Sequence, residues 1–222
     1  MLVPILIGGG LGAVLALLSR SGGGATTQLP SNVARPSQPG GVSFAEGIAS
    51  PLWPIKPVGR RHPNHGVVSY QPEEGKTIGN WARRFGATRD DGGRRHAGVD
   101  LFGYHNDVVV AMAPGTVIAT QSFHLGSHAL FIDHGPYVVM YGEIGARSWQ
   151  EFGVKVGDRV GAGAPIGRIA CMVFKEGRCT SHMLHLETYR KGTSRNKRWL
   201  PGKPPAELLN PTMMLLLAAQ RA

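Results

Sequence analysis

Two cysteines in 222 residues are too few to build a disulfide scaffold. Cys171 and Cys179 flank MVFKEGR, so the chain has neither a C-x-x-C redox pair nor a four-cysteine zinc site. Each lies near the end of a predicted strand. They can either face each other in a disulfide across the loop or remain two partly buried thiols. Acidic residues are also scarce, with Asp+Glu 14 against Lys+Arg 24 and a formal net charge of +10. That balance calls for an anionic partner: nucleic acid, acidic membrane or cell-wall polymer. The cations form no single block, being spread over Arg60-Arg61, Arg83-Arg84, Arg94-Arg95 and the run from Arg190-Lys191 to Lys203. Aromatics make up only 7% of the chain and do not interleave with them, and P-loop and zinc-finger spacings are absent. Nucleic acid is therefore not the expected partner. No Gly-X-Y period and no internal repeat appear, and a hydrophobic content of 42% excludes a wholly disordered chain.

Glycine and proline, in contrast, are abundant: 32 and 16 residues, about a fifth of the chain where about 12% is usual. Both are poor in helix interiors, so a helical bundle is excluded and a turn-rich β domain is favoured. Residues 2–18, LVPILIGGGLGAVLALL, carry no charge. Their length is near the lower limit for a membrane span and long for the apolar core of a signal peptide. We expect residues 1–20 to be an apolar helix serving as a membrane or signal segment. Residues 21–59 have the Gly/Ser/Pro composition of a linker. Residues 60–222 form the expected globular domain.

Within that domain, short Val/Ile/aromatic-rich stretches alternate with turn signals. Val108–Ala111, Gly115–Ala119, Ala129–Asp133, Tyr137–Tyr141, Pro165–Cys171 and Met183–Tyr189 read as strands. Close spacing with few helical intervals predicts a mainly β, largely antiparallel domain. Ile78–Phe85 and Pro211–Ala219 are the best helix candidates.

Nine histidines stand out, in two clusters above all. In His96-Ala97-Gly98-Val99-Asp100 an imidazole and a carboxylate lie four residues apart with a glycine between them. In Ser181-His182-Met183-Leu184-His185-Leu186-Glu187, strand alternation puts His185 on one face with Met183 and Glu187, and His182 on the other. His96, Asp100 and His185 together make a plausible zinc set with a fourth position open to water. His134 stands beside a turn glycine, and His62, His65, His105, His124 and His128 fall in loops.

Five stretches in order, FGATRDDGGRRHAGVDLFG, AMAPGTVIA, FIDHGPYVVMYGEI, VKVGDRVGAGAPIGRI and MLHLETY, resemble the LytM/lysostaphin-type M23 metallopeptidases. The resemblance covers roughly residues 60–212. It implies a small antiparallel β-sheet domain with a groove, Zn²⁺ as cofactor, and His96, Asp100 and His185 at the three ligand positions. It also implies cleavage of peptide bonds in peptidoglycan. The chain departs from the family at two helper histidines: Met183 stands where the last motif usually opens with histidine, and Glu143 ends a strand that usually reads Tyr-x-His. Three readings follow. Glu143 carries the proton instead, a bulge turns His182 into the groove, or the domain is a catalytically silent module that binds wall or regulates another hydrolase. The expected setting is outside the cytoplasm, membrane-tethered through the N-terminal segment with peptidoglycan as partner, or virion-associated if phage-encoded. Oligomeric state, and membership of a larger envelope or phage tail assembly, stay open.

Overall fold

In the computed structural model residues 28–222 are described; the apolar segment 1–20 and the first part of the expected linker lie outside the described residues. Among the described residues no helix is long and apolar enough to cross a membrane. In chain order the strands are β1 (Ile55–Lys56), β2 (Thr88–Arg89), β3 (Arg94–Arg95), β4 (Gly98–Leu101) and β5 (Val108–Val110). Next come β6 (Gly115–Ser122), β7 (His128–Asp133), β8 (Tyr137–Ile144), β9 (Arg159–Val160) and β10 (Pro165–Arg168). The last four are β11 (Val173–Lys175), β12 (Arg178–Ser181), β13 (Leu184–Arg190) and β14 (Leu208–Leu209), followed by helix α1 (Thr212–Ala219).

The principal sheet has seven antiparallel strands in the order β14-β13-β8-β7-β6-β9, with β4 sharing the β14 edge of β13. A three-stranded sheet, β1-β5-β10, and two hairpins, β2-β3 and β11-β12, complete the described pairing. The mainly β, antiparallel architecture expected from the strand pattern is thus the one observed. Strand β8 is buried along its whole length, which explains why YVVMYGEI is almost continuously apolar rather than alternating. Phe131, Ile132, Met140, Tyr141, Ile144, Leu184 and Leu186 form the heart of the core and are fully buried. Each such aliphatic or aromatic side chain contributes about 1.5–3 kcal/mol of burial.

Two expectations need correction. Ile78–Phe85 forms only a short 3-10 turn at Trp81–Arg83, capped by the Asn80 side chain, because left-handed Gly79 and Gly86 bracket it. Much of the stretch read as linker is packed. Val42, Phe44, Ala45, Trp53 and Ile55 are buried, and Ala45 N–H donates to the Asn210 carbonyl at 2.9 Å. Composition without periodicity concealed a segment that lies along the domain in irregular conformation.

Cys171 and Cys179 are joined in a disulfide with Cα atoms 5.6 Å apart, closing the loop that carries the β11-β12 hairpin.

Candidate metal centre

Strand register builds the site. His185 on β13 lies opposite Asp100 on β4 and opposite Gly142 on β8, while Glu187 lies opposite Gly98 and Met140. Asp100, His185 and Glu187 therefore share one face of the sheet. His96 arrives from the short connection before β4, where its N–H donates to the Ala87 carbonyl and its carbonyl accepts from Gly86 N–H, both at 2.8 Å. Gly98 is required by close approach. A Cβ there would stand 2.4 Å from the Leu186 carbonyl oxygen and 2.9 Å from the His185 ring.

The three candidate ligand atoms converge. His96 Nε2 is 3.1 Å from Asp100 Oδ1 and 3.1 Å from His185 Nδ1, and His185 Nδ1 is 2.7 Å from Asp100 Oδ1. All three residues are buried. A tetrahedral zinc with bonds of about 2.0–2.1 Å needs neighbouring ligand atoms roughly 3.3 Å apart. The set is therefore only slightly contracted from that geometry, and the two-imidazole, one-carboxylate donors suit the ion.

The other ring nitrogens are committed elsewhere, which fixes each tautomer. His96 Nδ1–H donates to the Arg84 carbonyl at 2.9 Å, leaving Nε2 to face the centre. His185 Nε2–H donates to Glu187 Oε1 at 2.9 Å, leaving Nδ1 to face it. Glu187 in turn accepts from the Tyr189 hydroxyl, whose oxygen accepts from Lys197 N–H at 2.8 Å. Arg89 Nη2 donates to the second Asp100 oxygen, Oδ2, at 3.0 Å. Such outer partners orient metal ligands and tune their basicity.

Electrostatics follow from the same contacts. Burial alone would raise the Asp100 pKa, but the neighbouring His96 and His185 outweigh it and hold the carboxyl well below the usual range. Burial alone would lower the His185 pKa. Its hydrogen bonds to Asp100 and Glu187 reverse that and lift it to about 10. For His96 burial prevails over Asp100, and its pKa is lowered.

Glu143 owes its place to a backbone irregularity. Leu130 pairs with Tyr141 and His128 with Ile144, so Gly142 and Glu143 together oppose Ala129 in a β-bulge. Glu143 takes the left-handed conformation, φ 59°, which costs a non-glycine residue about 1–2 kcal/mol. Regular alternation would carry Glu143 to the Tyr141 face; the bulge lets it line the groove instead. The residue is 7% exposed, and its Oε2 is buried without a hydrogen-bond partner in the protein. Burial, moderated by His185, pushes its pKa up to about 7.

The groove encloses about 570 Å³ and is lined by His96, Asp100, Glu143, His185 and Glu187 together with Met172, Met183, Phe123 and Leu125. Arg89, Arg94, Arg95, Lys197 and Arg198 also line it. Phe123 stacks on the His185 ring at 5.4 Å, an approach that Gly142 leaves room for.

Of the sequence-derived candidates, His96, Asp100, His185 and Glu143 come together in this groove, and Met183 lines it. His182 does not join them. Its Nδ1–H donates to the Gly103 carbonyl at 2.8 Å, and its ring lies against Tyr104. The bulge that could have turned it inward occurs on β8 instead. His134 is structural: Nδ1–H donates to the Pro114 carbonyl, and Nε2 accepts from the Tyr141 hydroxyl. His124 lines the groove from its loop. Sequence reasoning noted the shared face of Glu187 but not its hydrogen bond to His185, and it missed Arg89 altogether. The i, i+2 spacing from His185 to Glu187 was the available signal for the first. Nothing local pointed to the second.

Residues 94–197 match the model of Peptidase family M23. No curated protein matches the chain. Among solved structures, one similar to this chain is the catalytic domain of the antimicrobial peptidase lysostaphin from Staphylococcus simulans. It shares 25% identity over 53% of this chain and 85% of that one, with TM-score 0.39. A putative glycyl-glycine endopeptidase lytM from Ruminococcus gnavus shares 18% identity over 78% and 61% of the two chains, TM-score 0.44. A putative peptidase M23 from Pseudomonas aeruginosa shares 21% identity over 63% of this chain, TM-score 0.37, and the match spans 52% of that protein's length.

Proposed function

We propose, on the match of residues 94–197 to the model of Peptidase family M23, that the chain is a zinc-dependent endopeptidase hydrolysing peptide bonds in peptidoglycan. The observation that carries the reading is one groove holding three convergent ligand atoms beside a buried, unpartnered carboxylate at Glu143. His96 Nε2, Asp100 Oδ1 and His185 Nδ1 would hold the metal. When bound, zinc supplies Lewis acidity and makes water a competent nucleophile at neutral pH.

The chain's own groups do the rest. Glu187 and the Arg84 carbonyl hold the two imidazoles in the tautomers that leave a lone pair facing the centre. Arg89 neutralises the outward oxygen of Asp100 and limits its swing. Glu143 takes a proton from the attacking water on its free oxygen and returns it to the departing amine nitrogen. Beside a divalent cation the Glu143 carboxylate would be ionised at neutral pH, ready to accept the water proton and then pass it on as general acid. Phe123, stacked on the His185 ring, covers one side of the centre.

Substrate and setting belong to the same proposal. The enzyme acts outside the cytoplasm on peptidoglycan, tethered through residues 2–18 or carried in a phage virion. A second reading, a metal-binding module without hydrolysis, draws on Met183, which lines the groove where a protonatable side chain would help.

The test is peptide release from purified peptidoglycan by the zinc-loaded chain, with and without chelator, beside Glu143→Gln and His185→Ala. Chelator-sensitive release, abolished in His185→Ala and reduced about 10²–10⁴-fold in Glu143→Gln, is expected. Stoichiometric zinc binding without release from any wall type refutes the enzyme. Full activity in Glu143→Gln removes the role given to that residue alone.

A further inference from the structure

Five cationic side chains line the groove, and three of them are spoken for. Arg89 pairs with Asp100, Arg94 with Asp90 at 2.7 Å, and Lys197 with Glu207 at 3.1 Å. Arg95 and Arg198 have no acidic partner among the described residues. Arg95 donates only to neutral groups, the Thr88 hydroxyl at 3.1 Å and the Gly86 carbonyl at 3.4 Å, both through Nη1. The two segments are tied together, since Arg95 N–H donates to the Trp199 carbonyl at 2.8 Å, next to Arg198. Arg95 also immediately precedes the candidate ligand His96. Two guanidinium groups without an acidic partner thus line the groove that holds the candidate ligands, on segments joined by a backbone hydrogen bond.

Building on the peptidase reading, we propose that Arg95 and Arg198 bind a free carboxylate of the substrate peptide. The groove therefore selects stem peptides that carry an ionised carboxylate over neutral or amidated ones. Guanidinium is suited to this task because its planar donors match both carboxylate oxygens. The acidic groups facing the groove do not cancel these charges. Asp100 is engaged by Arg89 and the two histidines, Glu187 by His185 and Tyr189, and Glu143 lies buried among the ligands. Arg198 itself is exposed, so it can be changed without disturbing the core.

The experiment compares two synthetic cross-linked stem peptides, identical except that one has free carboxylates and the other carboxamides. Equilibrium binding of each to the full chain, stripped of metal so that no turnover intervenes, is measured by calorimetry. Hydrolysis of each by the zinc-loaded chain is followed in parallel. The free-carboxylate peptide should bind at least about tenfold more tightly, consistent with a charge-assisted hydrogen-bonded pair, and the preference should weaken as salt rises. Arg198→Glu should abolish the preference, raising KM for the carboxylate peptide more than for the amide. Arg198→Lys should restore part of it. Equal binding of both peptides, or a preference that survives Arg198→Glu, overturns the proposal. Preferential binding with no hydrolysis of either peptide upholds the carboxylate site and counts against the peptidase.

Discussion

Replacing Glu143 by glutamine should make the metal-stripped protein more stable while making the enzyme worse. Burial lifts the Glu143 pKa from 4.5 to about 7, so the native state holds this proton more tightly than the unfolded chain does. A raised native pKa stabilises fully below the unfolded value and loses that contribution as pH climbs through the native value. Each pH unit separating the native and unfolded pKa is worth about 1.4 kcal/mol, so ionisable Glu143 costs the fold about 1 kcal/mol at pH 5 and about 3 kcal/mol at pH 8. Glutamine does not titrate. Whatever its fixed effect on packing, the stability difference between Glu143→Gln and the parent should therefore grow by about 2–3 kcal/mol across that interval. Urea unfolding of chelator-treated protein at a series of pH values reads it directly. Zinc would draw the carboxyl pKa down, so the same titration on loaded protein should move to lower pH. A difference that stays flat from pH 5 to 8 would refute the claim that this carboxyl is held poised by burial.

Zinc uptake at pH 7 should release about one to two protons, because His185, held protonated up to about pH 10 by Asp100 and Glu187, must surrender one to bind metal and half-protonated Glu143 loses part of another. Calorimetry in buffers of different ionisation enthalpy counts the protons, and a value near zero would contradict the charge state described. Gly98→Ala should cost several kcal/mol and reduce metal affinity together, since a Cβ cannot fit 2.4 Å from the Leu186 carbonyl oxygen. Near-parental unfolding with full zinc binding would rule out that packing. Reducing the Cys171–Cys179 bond opens a loop of about nine residues and should cost about 2–3 kcal/mol. The readout is faster proteolysis within 172–181, and unchanged protection would show the hairpin stands without it.

The spacing of His96 and Asp100 around a glycine and the alternation that separates His185 from His182 are short-range and legible, whereas the meeting of the two motifs was implied only by the family resemblance. The strands β5, β6, β7, β8, β10 and β13 were legible for the same reason, their apolar runs being bounded by glycine and proline. Glu143 could be singled out by likeness to a family strand, yet alternation alone would have sent it toward Tyr141. Only the pairing of β8 with β7, a contact between segments, reveals the bulge. The packed course of Val42–Ile55 was hidden because irregular chain buries isolated residues without any period. Arg89 was hidden because its partner Asp100 lies eleven residues away across a turn.

Gly98 has a consequence for assembly as well as for space. Strand β4 can lie against β13 in only one frame. A slip of one residue would drive either Ala97 or Val99 into the Leu186 carbonyl and roll Asp100 over to the opposite side of the sheet. Correct strand pairing and a correctly pointed carboxylate are thus a single specification rather than two. A chain that closes this edge of the sheet arrives with its three donor atoms already gathered, and an incoming ligand has little left to organise.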